Sequence, residues 1–111
     1  MRVEIILTGN DLLIGKTVDS NGIWTINQLT SMGVRITRLT MIRDDLSEIA
    51  DTIKGTIKRK PNYILVSGGL GPTFDDMTLK GIQLGLNDTD ELVLNPQAQE
   101  WILEHYRRRF P

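Results

Sequence analysis

Apolar residues along this chain fall into two rhythms that alternate from the N-terminus onward. Val3–Thr8 is a β-branched and aliphatic run broken only by Glu4, and Gly9-Asn10 ends it. Such a run, without strict alternation, predicts a strand covered on both faces. Ile23, Ile26, Leu29 and Met32 then recur at helical spacing. They predict a helix capped by Asp19 or Ser20, running to about residue 32, with Gly33 as its C′ residue. Val34–Ile42 is rich in Val, Ile and Thr and reads as a second strand. Asp45 and Glu48 have capping-box spacing. In the helix that follows, Ile49, Ile53 and Ile57 share one face, and the helix ends before Pro61. Tyr63–Ser67 is a third strand and Met77–Leu84 a short helix stopped by Gly85. Asn95-Pro96 is an N-cap and N1 pair for a last helix reaching about Arg109. That helix offers Ala98, Trp101, Ile102 and Tyr106 to the core. Trp24, on the first helix, is likewise expected to pack.

Strand and helix alternate, so the expected fold is α/β with a mainly parallel sheet. In such sheets ligands sit beyond the carboxyl ends of the strands. The two most glycine-rich turns, Gly9–Gly15 and Gly68–Gly71, each follow a strand end, so both belong at that edge.

Composition narrows the classes. The 111 residues suffice for one domain, taken as 1–111. Forty per cent of them are hydrophobic, 24% are charged and the net charge is −1, so no basic excess points to a nucleic-acid partner. No cysteine is present, which excludes disulfides and thiolate metal sites and fits a cytoplasmic setting. No apolar run approaches the roughly 20 residues that span a bilayer. The N-terminus lacks the pattern of a secretory signal, and no membrane partner is expected.

Residues 67–78 read SGGLGPTFDDMT. Glycines at 68, 69 and 71 let backbone amides approach a ligand, and consecutive amides in such turns make anion sites. A helix starting near Asp75 would add partial positive charge. Ser67, Thr73 and Thr78 supply hydroxyls. Asp75 and Asp76 would repel phosphate unless a cation lies between, so the residues point to a metal–phosphate ligand. The plainer reading is one aspartate as a helix cap and the other solvated. GxxxxGK[ST] and GxGxxG are both absent.

The segment resembles the [ST]GGxGPT-x-DD-x-T signature of the molybdopterin-binding-like fold, shared by MoaB/Mog proteins and the N-terminal domain of CinA proteins. GNDLLIG at 9–15 is similar to that family's G-x-E-L-L-x-G turn, VDSN at 18–21 to the V-N-T-N opening the first helix, and IRDD at 42–45 to the V-G-D or V-P-D turn. NPQAQEWILEHYRRR resembles the long helix of CinA-like proteins, and GPTFDD favours that branch. The resemblance implies a three-layer α/β/α sandwich that forms homo-oligomers and holds a phosphorylated pterin or nucleotide. In Mog-type proteins the matching aspartate is needed to adenylylate molybdopterin. CinA-type domains are associated with metal-dependent hydrolysis of ADP-ribose and related pyrophosphates. Carried over, Asp76 is the essential acid, with Asp75 beside it. Gly68, Gly69, Gly71 and Thr73 form the phosphate loop, and Gly9, Asp11, Asn21 and Asp44 border the pocket. Asp76, Asp44 and Asp11 would hold Mg²⁺, Mn²⁺ or Co²⁺. Asp11 departs from the usual Glu by one methylene. The chain stops after the long helix, where family members continue with a pocket-closing segment, so the domain is expected to be shortened at its C-terminus. The activity of the deamidase domain of longer CinA proteins is not expected of these residues.

Singly, Asp11 and Asp44 are more often turn chemistry, and Asp76 alone would be a cap. His105 and Lys16 are read as surface groups, and Arg107–Arg109 as partners of a helix C-terminal dipole. Three functions follow: a metal-dependent pyrophosphatase, an adenylyl-transfer protein of cofactor synthesis, or a non-catalytic ligand-binding module.

Overall fold

The computed structural model describes residues 1–10, 20–71, 76–87 and 95–109. Strands β1 (Arg2–Thr8), β2 (Arg35–Ile42) and β3 (Tyr63–Ser67) form a parallel sheet in the order β2-β1-β3. Helices α1 (Ser20–Ser31), α2 (Leu46–Lys58), α3 (Thr78–Gly85) and α4 (Pro96–Arg109) alternate with or follow them. The α/β fold and parallel sheet expected from the pattern are therefore present.

Residues on β1 alternate between two cores, as side chains on a strand must. Val3, Ile5 and Leu7 point to one face, where Ile26 and Leu29 of α1 pack with Val34 and Ile36. Ile6 points to the other, against Ile49 and Ile53 of α2 and Ile82 of α3. Glu4 shares this second face and is only 3% exposed. Its carboxylate accepts from Arg59 Nη2 at 2.7 Å and Nε at 2.9 Å, so the buried charge is paired. That contact also holds the Arg59 guanidinium pKa above its ordinary value.

Helix ends follow local chemistry. Gly33 has φ +82°, its N–H donates to Thr30 O at 3.0 Å, and Val34 N–H donates to Leu29 O at 3.0 Å. That is the Schellman arrangement expected of a C′ glycine. Asp45 caps α2 by accepting from Glu48 N–H at 3.0 Å. The capping box is only half formed. Asp45 N–H already donates to Arg43 O at 2.8 Å, and the Glu48 carboxylate pairs with Arg43 Nη2 at 2.9 Å. Gly85 is the last residue of α3, not the stop beyond it. Asn87, with φ 56°, provides the left-handed turn that ends the helix.

The core expectations need correction on two helices. Ala98, Trp101, Ile102 and Tyr106 are not buried, and α4 has no buried residue; Trp101 is 67% exposed. Trp24 is 64% exposed. Helical spacing marks an apolar stripe, but burial needs close-packed neighbours, and the described residues leave both tryptophans more than half exposed. On α2, Thr56 is buried where Ile57 was expected, its hydroxyl donating to Thr52 O at 2.8 Å.

Candidate phosphate-loop site

Because the strands are parallel, Thr8, Ile42 and Ser67 end at one edge of the sheet. β3 runs straight into Gly68 and Gly69, both at positive φ, +97° and +61°. A Cβ on Gly68 would collide with Thr8 O and lie 2.8 Å from Thr8 Oγ1. A Cβ on Gly69 would collide with the Thr78 hydroxyl and lie 2.6 Å from Asp44 Oδ2. Both conformation and space therefore require glycine here. The turn is pressed onto the sheet edge, and its backbone approaches where side chains cannot.

Beneath the turn lies a buried hydroxyl pair. Thr8 Oγ1 and Thr78 Oγ1 are 3.0 Å apart, and Thr8 Oγ1 also donates to Ser67 O at 3.3 Å. Thr78 is fully buried. Its hydroxyl is thus spent on Thr8, and the place expected for it on the ligand side of the loop is corrected to one underneath. α3 starts at Thr78 with Met77 as its cap residue, one position from the Met77 start that the pattern predicts, so the start near Asp75 does not hold. Asp44, after β2, accepts from Met77 N–H at 2.9 Å through Oδ1. Thr78 N–H donates to Gly69 O at 3.3 Å, which closes the loop on itself.

Asp44 N–H donates to Asn10 Oδ1 at 3.2 Å, and Gly9 N–H to Ile42 O at 3.0 Å, so the β1 and β2 turns are joined. Asp76 lies at the rim, where a Cβ on Gly71 would come within 2.7 Å of its Oδ2. The structure thus gathers Gly9, Asp44, Ser67, Gly68, Gly69, Gly71, Asp76 and Thr78 at one edge. Asp11, Thr73 and Asp75 lie outside the described residues, as does the side chain of Asn21, the second residue of α1. Among the described residues no three His, Cys, Asp or Glu side chains gather as a metal site.

Sequence reading missed Asn10, Thr8 and Arg43. Asn10 and Thr8 bond across strands, and no local motif announces such partners. Arg43 had a local signal, an Arg five residues before a Glu across the α2 cap. Bonds from the Glu48 amide and then the Ser47 hydroxyl hold the Asp45 carboxyl below its usual pKa, while the Glu48 carboxylate raises that of Arg43. Beside Ser67 opens a cavity of about 210 Å³, lined by Leu7, Gly22, Thr25, Leu65 and Val66 among others.

A parallel α/β sheet with a glycine turn and an acid at its carboxyl edge defines the class of α/β domain whose ligands lie beyond the strand ends. Residues 4–107 match the family model described as "Probable molybdopterin binding domain", and the chain belongs to that family. It is 47% identical over 106 residues to a protein of Metallosphaera sedula, covering 96% of this chain and 39% of that protein. A Saccharolobus islandicus protein is 44% identical over 108 residues, 96% of this chain and 40% of its own length. The chain thus spans about two-fifths of the curated relatives it matches. The crystal structure of CinA from Thermoplasma acidophilum superposes with a TM-score of 0.80 at 33% identity, covering 96% of this chain and 63% of that one. A tungsten cofactor synthesizing MoaB from Pyrococcus furiosus shares the fold, with a TM-score of 0.72 at 20% identity over 96% of this chain and 63% of its own. This is a molybdopterin-binding-like domain of the CinA type. No helix among the described residues is long and apolar enough to cross a membrane.

Proposed function

We infer that this domain binds a phosphorylated pterin or nucleotide at the Ser67–Gly71 turn and, with a divalent cation, hydrolyses a pyrophosphate of the ADP-ribose type. The observation that carries the reading is the packing of Gly71 on the Asp76 carboxylate. An amide-rich turn for phosphate oxygens and an acid for a cation then share one rim. The donors are hard oxygens, which suit Mg²⁺ or Mn²⁺, with Co²⁺ as a further candidate. Asp76 would be the first ligand, with the rest of the set drawn from the carboxylates Asp75, Asp11 and Asp44. A bound cation would neutralise phosphate charge and lower the pKa of a water molecule.

The protein's own groups bind and orient. Amides of Gly68, Gly69 and Gly71 and the hydroxyls of Ser67 and Thr73 hold phosphate oxygens. Gly9 and Asn21 border the pocket. The cavity beside Leu7 and Val66 accepts the apolar face of a ring. Water oxygen bonds to phosphorus and the bridging P–O bond breaks. The bridging oxygen leaves with ribose phosphate, and AMP is the second product. A specific observation keeps adenylyl transfer to molybdopterin as the second reading: the family model is a molybdopterin-binding one. Binding without turnover is the third.

The test is AMP release from ADP-ribose with Mg²⁺, Mn²⁺ or Co²⁺, with Asp76→Asn alongside. Metal-dependent turnover is expected, falling roughly hundredfold or more in Asp76→Asn, the scale for losing a group that meets transition-state charge. A folded, monodisperse sample without turnover would sink the hydrolase reading.

A further inference from the structure

The geometry points to Asp44 as a positioning residue that clamps the phosphate loop, not as a ligand of the cation. Met77, at the cap position of α3, makes no side-chain hydrogen bond to the helix. Its N–H is taken by Asp44 Oδ1 at 2.9 Å, so the capping acceptor arrives from a loop 33 residues earlier. The carboxylate also places negative charge at the positive end of α3. Asp44 Oδ2 faces Gly69, where a Cβ would come within 2.6 Å. The Asp44 N–H is held by Asn10 Oδ1 at 3.2 Å. One residue therefore ties together the turns after β1, β2 and β3. A carboxylate with one oxygen on an amide and the other against a backbone turn is built to hold that turn in shape. The cation then falls to Asp76 with Asp75 or Asp11. That last assignment rests on the function proposed above; the clamp does not.

Three variants decide it: Asp44→Asn, Asp44→Ala and Asn10→Ala. Asn keeps an oxygen acceptor for Met77 N–H and loses the charge; Ala loses both. Amide exchange at Met77, followed by NMR without metal, is expected to quicken roughly tenfold or more in Asp44→Ala, the worth of a hydrogen bond to a charged acceptor. In Asp44→Asn it should stay within about threefold of the parent, since a neutral bond is weaker but present. Asn10→Ala should fall between them. Mn²⁺ titration, with the metal alone as probe, is expected to give the same affinity in Asp44→Asn as in the parent. Loss of Mn²⁺ binding in Asp44→Asn with Met77 still protected would make Asp44 a ligand and overturn the clamp. Unchanged Met77 exchange in a folded Asp44→Ala would overturn it too. If Asp44→Ala does not fold, Asp44→Asn and Asn10→Ala carry the comparison. If the parent itself binds no Mn²⁺, the cation reading of the site fails while Met77 exchange still decides the clamp.

Discussion

Gly69 shows how little room the loop leaves at the scale of one residue. Its φ is +61°, and a methyl there would meet Thr78 and Asp44. Gly69→Ala is expected to destabilise by about 1–3 kcal/mol, from left-handed strain and displacement of the Asp44 carboxylate, read by urea unfolding. Glycine at this position was legible because the turn motif demands it. The atoms it must avoid were not, because Asp44 and Thr78 reach it from distant parts of the chain. Asp45 allows a prediction in pH. Its folded pKa lies below its ordinary value of 3.8. A depressed carboxyl contributes stability above that value and loses it as pH falls through the folded pKa. Arg43 and Glu48 lie beside it. Asp45→Asn keeps a capping oxygen but removes the titration. Its melting temperature should thus fall less steeply with acid than that of the parent below about pH 4, measured as the difference between two melting curves.

Between elements, the tightest fit is α2 against α3. A Cβ on Gly81 would collide with Ile49, and one on Gly85 would lie 2.7 Å from Ile53 Cβ. These glycines, four residues apart, let the two helices approach until both isoleucines are buried. Gly81→Ala should cost about 1–3 kcal/mol as an overpacked contact. Ile49→Ala should cost about 2–5 kcal/mol as a cavity. Calorimetry or denaturant unfolding checks both. The isoleucine stripe was plain in the sequence as a 3.6-residue period. The role of Gly81 was hidden, because a glycine inside a short helix reads as a weakness until its neighbour is known. Half of the capping box was hidden for the same reason: Arg43 competes for Glu48.

At the scale of the whole molecule, apolar surface is left open on both sides of α1. Leu39 and Met41 are exposed on β2, Tyr63 and Leu65 on β3, and α4 shows Trp101, Ile102 and Tyr106. β2 and β3 are the edges of the sheet formed by the described residues. Open edges and apolar patches of this kind promote association. The isolated chain is expected to self-associate, with a mass by sedimentation velocity that rises with concentration. A monomer at every concentration would count against the homo-oligomer expected from the family resemblance.

The sequence by itself determined the order and type of the elements, the parallel α/β class, the family and the glycine turn. Each of these is written in local signals: period, cap chemistry, turn residues and one specific motif. Tertiary structure alone decided that Asp44 reaches the start of α3, that Thr78 lies under the loop and not on it, and that Trp24 and Trp101 stay uncovered. Those outcomes depend on partners 30 or more positions away, or on having no partner among the described residues. Local periodicity carries no information about which distant group a side chain will meet.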